Sequence, residues 1–176
     1  MTSSELVPTD SLAAAYQSLV AAAAEARELA YCPYSGFHVG AALLVDELDP
    51  ADSPRIITGA NVENAAYGST ICAERAALVR ANALGFRRFR AVAVIARASS
   101  RRPDGRPDPA QVVLPEGITG PCGACRQMLW ESAQLGQGDM DVLLADARGK
   151  QVMVTTMSSL LPLAFGPRDL GIEGWS

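Results

Sequence analysis

Apolar and polar positions along the chain fall into short segments of distinct period. From Ser11 to Ala30, "SLAAAYQSLVAAAAEARELA" is rich in strong helix formers and free of glycine and proline, which predicts a first helix with Thr9 or Asp10 as its N-cap. "VGAALLV" at 39–45 and "RIITGANV" at 55–62 lean towards strand, and the turn-rich "DELDPADSP" between them predicts a hairpin. A second helix is expected from Ile71 to Leu84, stopped by Gly85. "RAVAVIA" at 90–96 is almost continuously apolar, the pattern of a strand buried on both faces. Pro, Gly and charge then fill 97–121, too polar to pack and long for a connection, so a loop insertion is expected over 97–117. A third helix starts at Pro121, a residue suited to a first turn, and runs to Gly136. "DVLLAD" and "QVMVTT" follow as strands around an "RGK" turn, and the tail has room for one short helix before Pro162. The order α-β-β-α-β-α-β-β predicts an α/β protein, a three-layer α/β/α sandwich on a mixed five-stranded sheet.

At 176 residues and 49% hydrophobic, the chain suits one core, so residues 1–176 are expected to form a single domain. The longest apolar runs fall far short of the roughly 20 residues a membrane span needs. Met1 to Asp10 lacks the basic start and apolar middle of a secretory signal, which makes the reducing cytoplasm the expected compartment and disulfides unexpected. A net charge of −4 argues against a nucleic-acid binder, because affinity for polyanions comes mostly from Lys and Arg on phosphates. The one basic run, "FRRFR" with "RASSRRPDGR" downstream, is flanked by Pro, Gly and Ser and reads as a solvated loop.

Four cysteines and one histidine narrow the chemistry. "GPCGACRQM" places a Cys-x-x-Cys pair at a helix start, a pattern used for thioredoxin-like redox, structural zinc or catalytic zinc. Cys122 and Cys125 share a helix face and can bind one ion, but a catalytic zinc takes three protein ligands and leaves a fourth position to water. Cys32, Cys72 and His38 are the candidates for the third. Cys72 opens the second helix, so two helix N-termini aimed at one spot would bring all three sulfurs together, where the helix dipoles favour thiolate. Glu74, two residues on, can reach a water on the metal without binding the metal. Three thiolates leave the centre net negative, and Arg75 can offset this by donating to thiolate sulfur. Arg126 is placed to do the same or to sit exposed. His38 and Cys32 carry no partner signal.

"CAE" followed fifty residues later by "PCGAC" is similar to the zinc deaminase pattern in its three-cysteine form. "YCPYSGFHVGAALL" (31–44), "TGANVENAAYGSTICAERAAL" (58–78), "GPCGACRQML" (120–129) and "LLPLAFGPRDL" (160–170) resemble, in order, segments of the cytidine deaminase family in its small homotetrameric form. The resemblance implies a cytidine deaminase-like fold, one zinc ion per chain on Cys72, Cys122 and Cys125, and Glu74 as proton shuttle. It also implies that Asn61 and Glu63 bond the ribose hydroxyls, that Phe37 packs on the pyrimidine and that the Ala73 backbone touches the base. Ala65, Tyr67 and Phe165 would complete the pocket of a neighbouring subunit. The implied reaction is hydrolytic deamination of cytidine or 2′-deoxycytidine to the uridine product and ammonia, as in pyrimidine salvage. Alternatives are a related aminonucleoside deaminase such as one acting on blasticidin S, a structural zinc site with a fourth protein ligand, and a redox protein that needs neither Cys72 nor Glu74.

Overall fold

In chain order the elements are β1 (Leu6–Pro8), α1 (Ala14–Arg27), β2 (Phe37–Val45), β3 (Ile56–Ala60), α2 (Ala73–Ala83), β4 (Phe89–Arg101), β5 (Pro107–Val113), α3 (Gly123–Leu135), β6 (Asp141–Ala145), β7 (Gln151–Thr156) and α4 (Met157–Leu160). The structure, a computed structural model, describes residues 5–46, 55–102, 104–113, 117–136 and 139–172, so most of the turn expected at 46–54 lies outside the described residues. The strands form one sheet in the order β1-β7-β6-β4-β2-β3, with β5 paired to β4. Among the described residues β4 and β6 run parallel and the other pairs antiparallel.

Strict alternation along the central strands divides the core in two. Leu43, Val92, Val94, Val142 and Leu144 pack with α2, α3 and α4 on one face. Ala42, Leu44, Ala91, Ala93, Ile95 and Leu143 pack with Leu19, Val20 and Ala23 of α1 on the other. The apolar run in β4 is continuous because both of its faces are covered. The expected three-layer α/β/α sandwich with a mixed sheet is therefore what forms.

Three expectations need correction. The sheet has seven strands rather than five. β1 is only three residues long, too short for an alternation to register, and β5 is a strand with two prolines, Pro107 and Pro109, paired to β4. The segment 97–117 is thus mostly a hairpin and not a loop, with β4 running on to Arg101. Neither Thr9 nor Asp10 caps α1. The N-cap is Ala13, without a side-chain bond, and the Thr9 hydroxyl instead donates to the Gly149 carbonyl at 2.7 Å. Gly85 does end α2 as expected, by a left-handed turn at φ +90.

Two glycines let helices press onto the sheet. A Cβ on Gly40 of β2 would lie 2.0 Å from the Ala23 carbonyl oxygen and 2.5 Å from the Arg27 nitrogen of α1. On Gly59 of β3 it would lie 2.3 Å from the Ala77 nitrogen of α2. Each neighbour is helix backbone, which cannot step aside as a side chain can. Gly40→Ala is therefore expected to destabilise by about 3 kcal/mol or more, lowering the melting temperature by roughly 10 °C. Thermal unfolding followed by circular dichroism checks this, and an unchanged midpoint would contradict the close approach.

One end of this sheet gathers the chemistry. β2 begins there, β3 and β4 end there, and the Ile118–Asp146 bridge pins the lead-in to α3 beside the end of β6. Both α2 and α3 start from the same end.

Candidate metal centre and active site

Cys72 and Cys122 are the N-caps of α2 and α3, both with extended backbone and without side-chain capping bonds. Their carbonyls accept the first intrahelical bonds, from Ala76 at 3.0 Å and Arg126 at 2.9 Å, so each sulfur sits at the positive end of its helix. Cys125 lies in the first turn of α3, and Pro121 precedes the N-cap rather than entering that turn. The Cys72 and Cys122 sulfurs are 3.9 Å apart and the Cys122 and Cys125 sulfurs 3.5 Å. All three lie within 4.8 Å of one another, and among the described residues no fourth His, Cys, Asp or Glu joins the group.

These separations test the fit of a metal. Zinc–thiolate bonds of about 2.3 Å in a tetrahedron put sulfurs about 3.8 Å apart, whereas a disulfide brings them to about 2.0 Å. The three cysteines are free of disulfides, and the separations of 3.5 and 3.9 Å bracket the tetrahedral edge length, so the donor set and its spacing fit zinc. Cys125 is buried at the floor, Cys72 half-buried and Cys122 exposed, which opens the cluster to solvent on one side.

Electrostatics favour thiolate at Cys72. Hydrogen bonding from Cys125 and then from Arg75 lowers its pKa to about 5 against the opposing effect of burial. As donor in that pair, and through burial, Cys125 is held well above the usual thiol range. Arg75 reaches the Cys72 sulfur at 3.8 Å and is anchored by a 2.5 Å bond to the Thr70 carbonyl. Glu74 is 3% exposed, and burial first, then the Cys72 thiolate, raise its carboxyl above the ordinary range. A carboxyl so placed exchanges protons readily.

A second group forms beside this one. Asn61 bridges the start of β2, its Oδ1 accepting from the Val39 amide at 2.8 Å and its Nδ2 donating to the Phe37 carbonyl at 2.9 Å. Glu63 Oε2 accepts from the amides of Tyr34 at 3.0 Å and Ser35 at 3.2 Å, and Oε1 accepts from the Ser35 hydroxyl. Reciprocal 2.9 Å bonds between Val62 and Ile71 join the neighbour of Asn61 and Glu63 to the neighbour of Cys72. Phe37 and Ala73 belong to this region, as the first residues of β2 and α2.

Ala65, Tyr67 and Phe165 are not brought into the cluster. Ala65 is exposed on the segment that the Val62–Ile71 pair closes; Tyr67 and Phe165 are 68% and 59% exposed. Sequence reasoning missed what holds the tail. Arg126 donates not to sulfur but to the carbonyls of Pro121 at 2.8 Å and Leu160 at 3.0 Å, and Gln127 donates to the Phe165 carbonyl at 2.9 Å. Cys32 is 7% exposed, and burial pushes its thiol up to about 11, an inert state. His38 is lowered by burial, with its Nε2 3.4 Å from the Ser99 hydroxyl, and takes no part in the metal group.

Three sulfurs spaced for zinc, with an ionisable carboxyl sealed beside them and one side left open, place this chain in the class of thiolate zinc deaminases. Residues 14–135 match the sequence model of the cytidine and deoxycytidylate deaminase zinc-binding region, and the chain belongs to that family. It is 41% identical over 154 residues to the cytidine deaminase of Sporosarcina psychrophila, covering 88% of this chain and 93% of the relative. To the cytidine deaminase of Halalkalibacterium halodurans it is 42% identical over 154 residues, covering 88% and 96%. The crystal structure of cytidine deaminase from Burkholderia pseudomallei superposes with a TM-score of 0.66 at 40% identity, over 85% of this chain and 98% of that one.

Proposed function

We infer that this chain is a zinc-dependent enzyme, one ion per chain, that hydrolyses cytidine and 2′-deoxycytidine to the corresponding uridines with release of ammonia. The observation that carries the reading is the pairing of a three-sulfur cluster at zinc spacing with the buried carboxyl of Glu74. Cys72, Cys122 and Cys125 would hold the ion, which when bound lowers the pKa of a coordinated water and so supplies the nucleophile. Glu74 takes a proton from the attacking water at its carboxylate and passes it to N3 of the pyrimidine, then takes the remaining proton from the new C4 hydroxyl and passes it to the amine as the C4–N bond breaks. Ala73, at the start of α2, presents one of the helix's unpaired amides to the base. Phe37 lies against the ring.

Hydrogen-bond capacity supports the sugar assignment. A carboxylate offers about four acceptor sites, and Glu63 spends three on Tyr34 and Ser35. One remains. The Asn61 amide has a second N–H beyond the bond to Phe37. One free acceptor beside one free donor suits a hydroxyl, which is both.

The working form is read as a homotetramer with shared sites, a single-domain protein of the cytoplasm. Exposed Tyr31, Tyr34, Val62, Tyr67 and Ile71 surround the site region, with Tyr34 and Tyr67 in edge-to-face contact at 6.1 Å. Leu163 is fully exposed in a left-handed conformation at φ 56, two residues before Phe165. Apolar surface of this extent next to an open site suits burial by another copy, with Ala65, Tyr67 and Phe165 closing the neighbour's pocket. Among the described residues no helix is long and apolar enough to cross a membrane.

A structural zinc site would need a fourth protein donor, and only three come together among the described residues. The test is an absorbance assay on cytidine, deoxycytidine and blasticidin S, with and without a zinc chelator, beside metal analysis and light scattering. Turnover of both pyrimidine nucleosides, its loss on chelation and a tetrameric mass are expected. Zinc without turnover, or a preference for blasticidin S, would overturn the substrate assignment.

A further inference from the structure

The β4–β5 hairpin takes no part in the chemistry assigned above, yet it is fastened to the loop that carries the sugar-side residues. β5 pairs with β4 from Ala98↔Val113 to Arg101↔Pro107, beyond the last β4–β6 pair at Ile95↔Ala145. The hairpin therefore projects from the end of the sheet where the site lies. There the Ser99 amide donates to the Gly36 carbonyl at 2.7 Å. Gly36 adopts φ +66, and a Cβ on it would lie 2.7 Å from the Pro107 Cβ and 3.1 Å from the Ser99 Cβ. Backbone conformation and crowding both demand glycine at this point.

What Gly36 touches next is the site. Its amide donates to the Cys32 carbonyl at 3.0 Å. Its neighbour Ser35 donates its hydroxyl to Glu63 and accepts the Phe37 amide at 2.9 Å on the same oxygen. A shift of Gly36 thus passes through Ser35 to the Glu63 carboxylate. An edge hairpin that merely extended the sheet would pair with β4 alone. This one also clamps the turn whose Tyr34 and Ser35 amides and Ser35 hydroxyl hold a carboxylate.

We propose that Ser99 and Pro107 of the β4–β5 hairpin are positioning residues for the sugar side of the nucleoside site, acting through Gly36 on Ser35 and Glu63. The proposal rests on the reading that Glu63 meets a sugar hydroxyl. Pro107→Ala keeps the Cβ and loses the ring; Pro107→Gly loses both. Steady-state kinetics of these two variants and of Glu63→Gln on cytidine and on 2′,3′-dideoxycytidine, which lacks the 2′ and 3′ hydroxyls, separate the possibilities. Zinc content and melting temperature identify properly folded protein, and Pro107→Ala decides the matter if Pro107→Gly does not fold. The KM for cytidine is expected to rise in the order Pro, Ala, Gly to about fivefold to tenfold, with kcat within about twofold. The KM or inhibition constant for the dideoxynucleoside should stay within about twofold, since no hydroxyl contact remains to be lost. An equal rise for both nucleosides, a fall in kcat alone, or no change would overturn the proposal while Glu63→Gln still discriminates between them. Failure of Glu63→Gln to discriminate overturns the sugar assignment itself, and the proposal with it.

Discussion

Glu74→Gln is expected to yield a folded, zinc-loaded protein that deaminates cytidine about 10⁴-fold or more slowly than the parent. A single positioned acid/base contributes about 10²- to 10⁴-fold, and the proposed mechanism uses Glu74 at more than one proton transfer in each cycle. Glutamine keeps the shape and a polar end but can neither take up nor release the proton. The fold has little to lose from the exchange. Glu74 is 3% exposed, burial disfavours its charged form, and a neutral amide of equal size avoids a buried charge altogether. The sulfurs that bind zinc are untouched. Metal per chain and melting temperature should therefore match the parent while kcat collapses and KM stays close. Substantial turnover in this variant would remove Glu74 from its role, whatever happened to the metal.

Much of the framework was legible because the relevant signals are local. The run Ala91–Ala96 had to be a strand covered on both faces, and its residues indeed divide between the two cores. The three-cysteine cluster was legible for a similar reason. Cys122 and Cys125 are one helical turn apart, and Cys72 carries Glu74 and Arg75 within its own first turn. What escaped notice depends on partners far along the chain. β5 opens with Pro107, Asp108 and a second proline, a turn-like sequence, and pairing with β4 is what places it. The attachment of Ser35 to Glu63 spans 28 residues and that of Gln127 to Phe165 spans 38. No periodicity marks such pairs, because each is a single contact made by the tertiary fold. Arg126 shows the limit from the other side: its position next to Cys125 suggested sulfur, but the tail carbonyl of Leu160 lies within its reach and takes the bond.

The same geometry that makes the cluster a metal site makes it a structural joint, so Cys125→Ser is expected to lose metal, activity and stability together. Cys125 is 0% exposed at the floor of the cluster, and a serine hydroxyl there does not ionise to replace a thiolate ligand. Two sulfurs from separate helices are too few for tight zinc binding. Zinc should fall from one per chain to background in metal analysis, and deamination should fall with it. The stability effect follows from linkage. A ligand present at about 1,000 times its dissociation constant stabilises by about 4 kcal/mol, which for a chain of this size is roughly 10 °C or more in melting temperature. The joint ties the starts of α2 and α3, whose capping cysteines are 50 residues apart in sequence. Chelator should lower the melting temperature of the parent to near that of Cys125→Ser and leave the variant unmoved, because both treatments remove the same bond. Stoichiometric zinc in the variant, or a further large drop on chelation, would show that the ion sits on a different set of side chains.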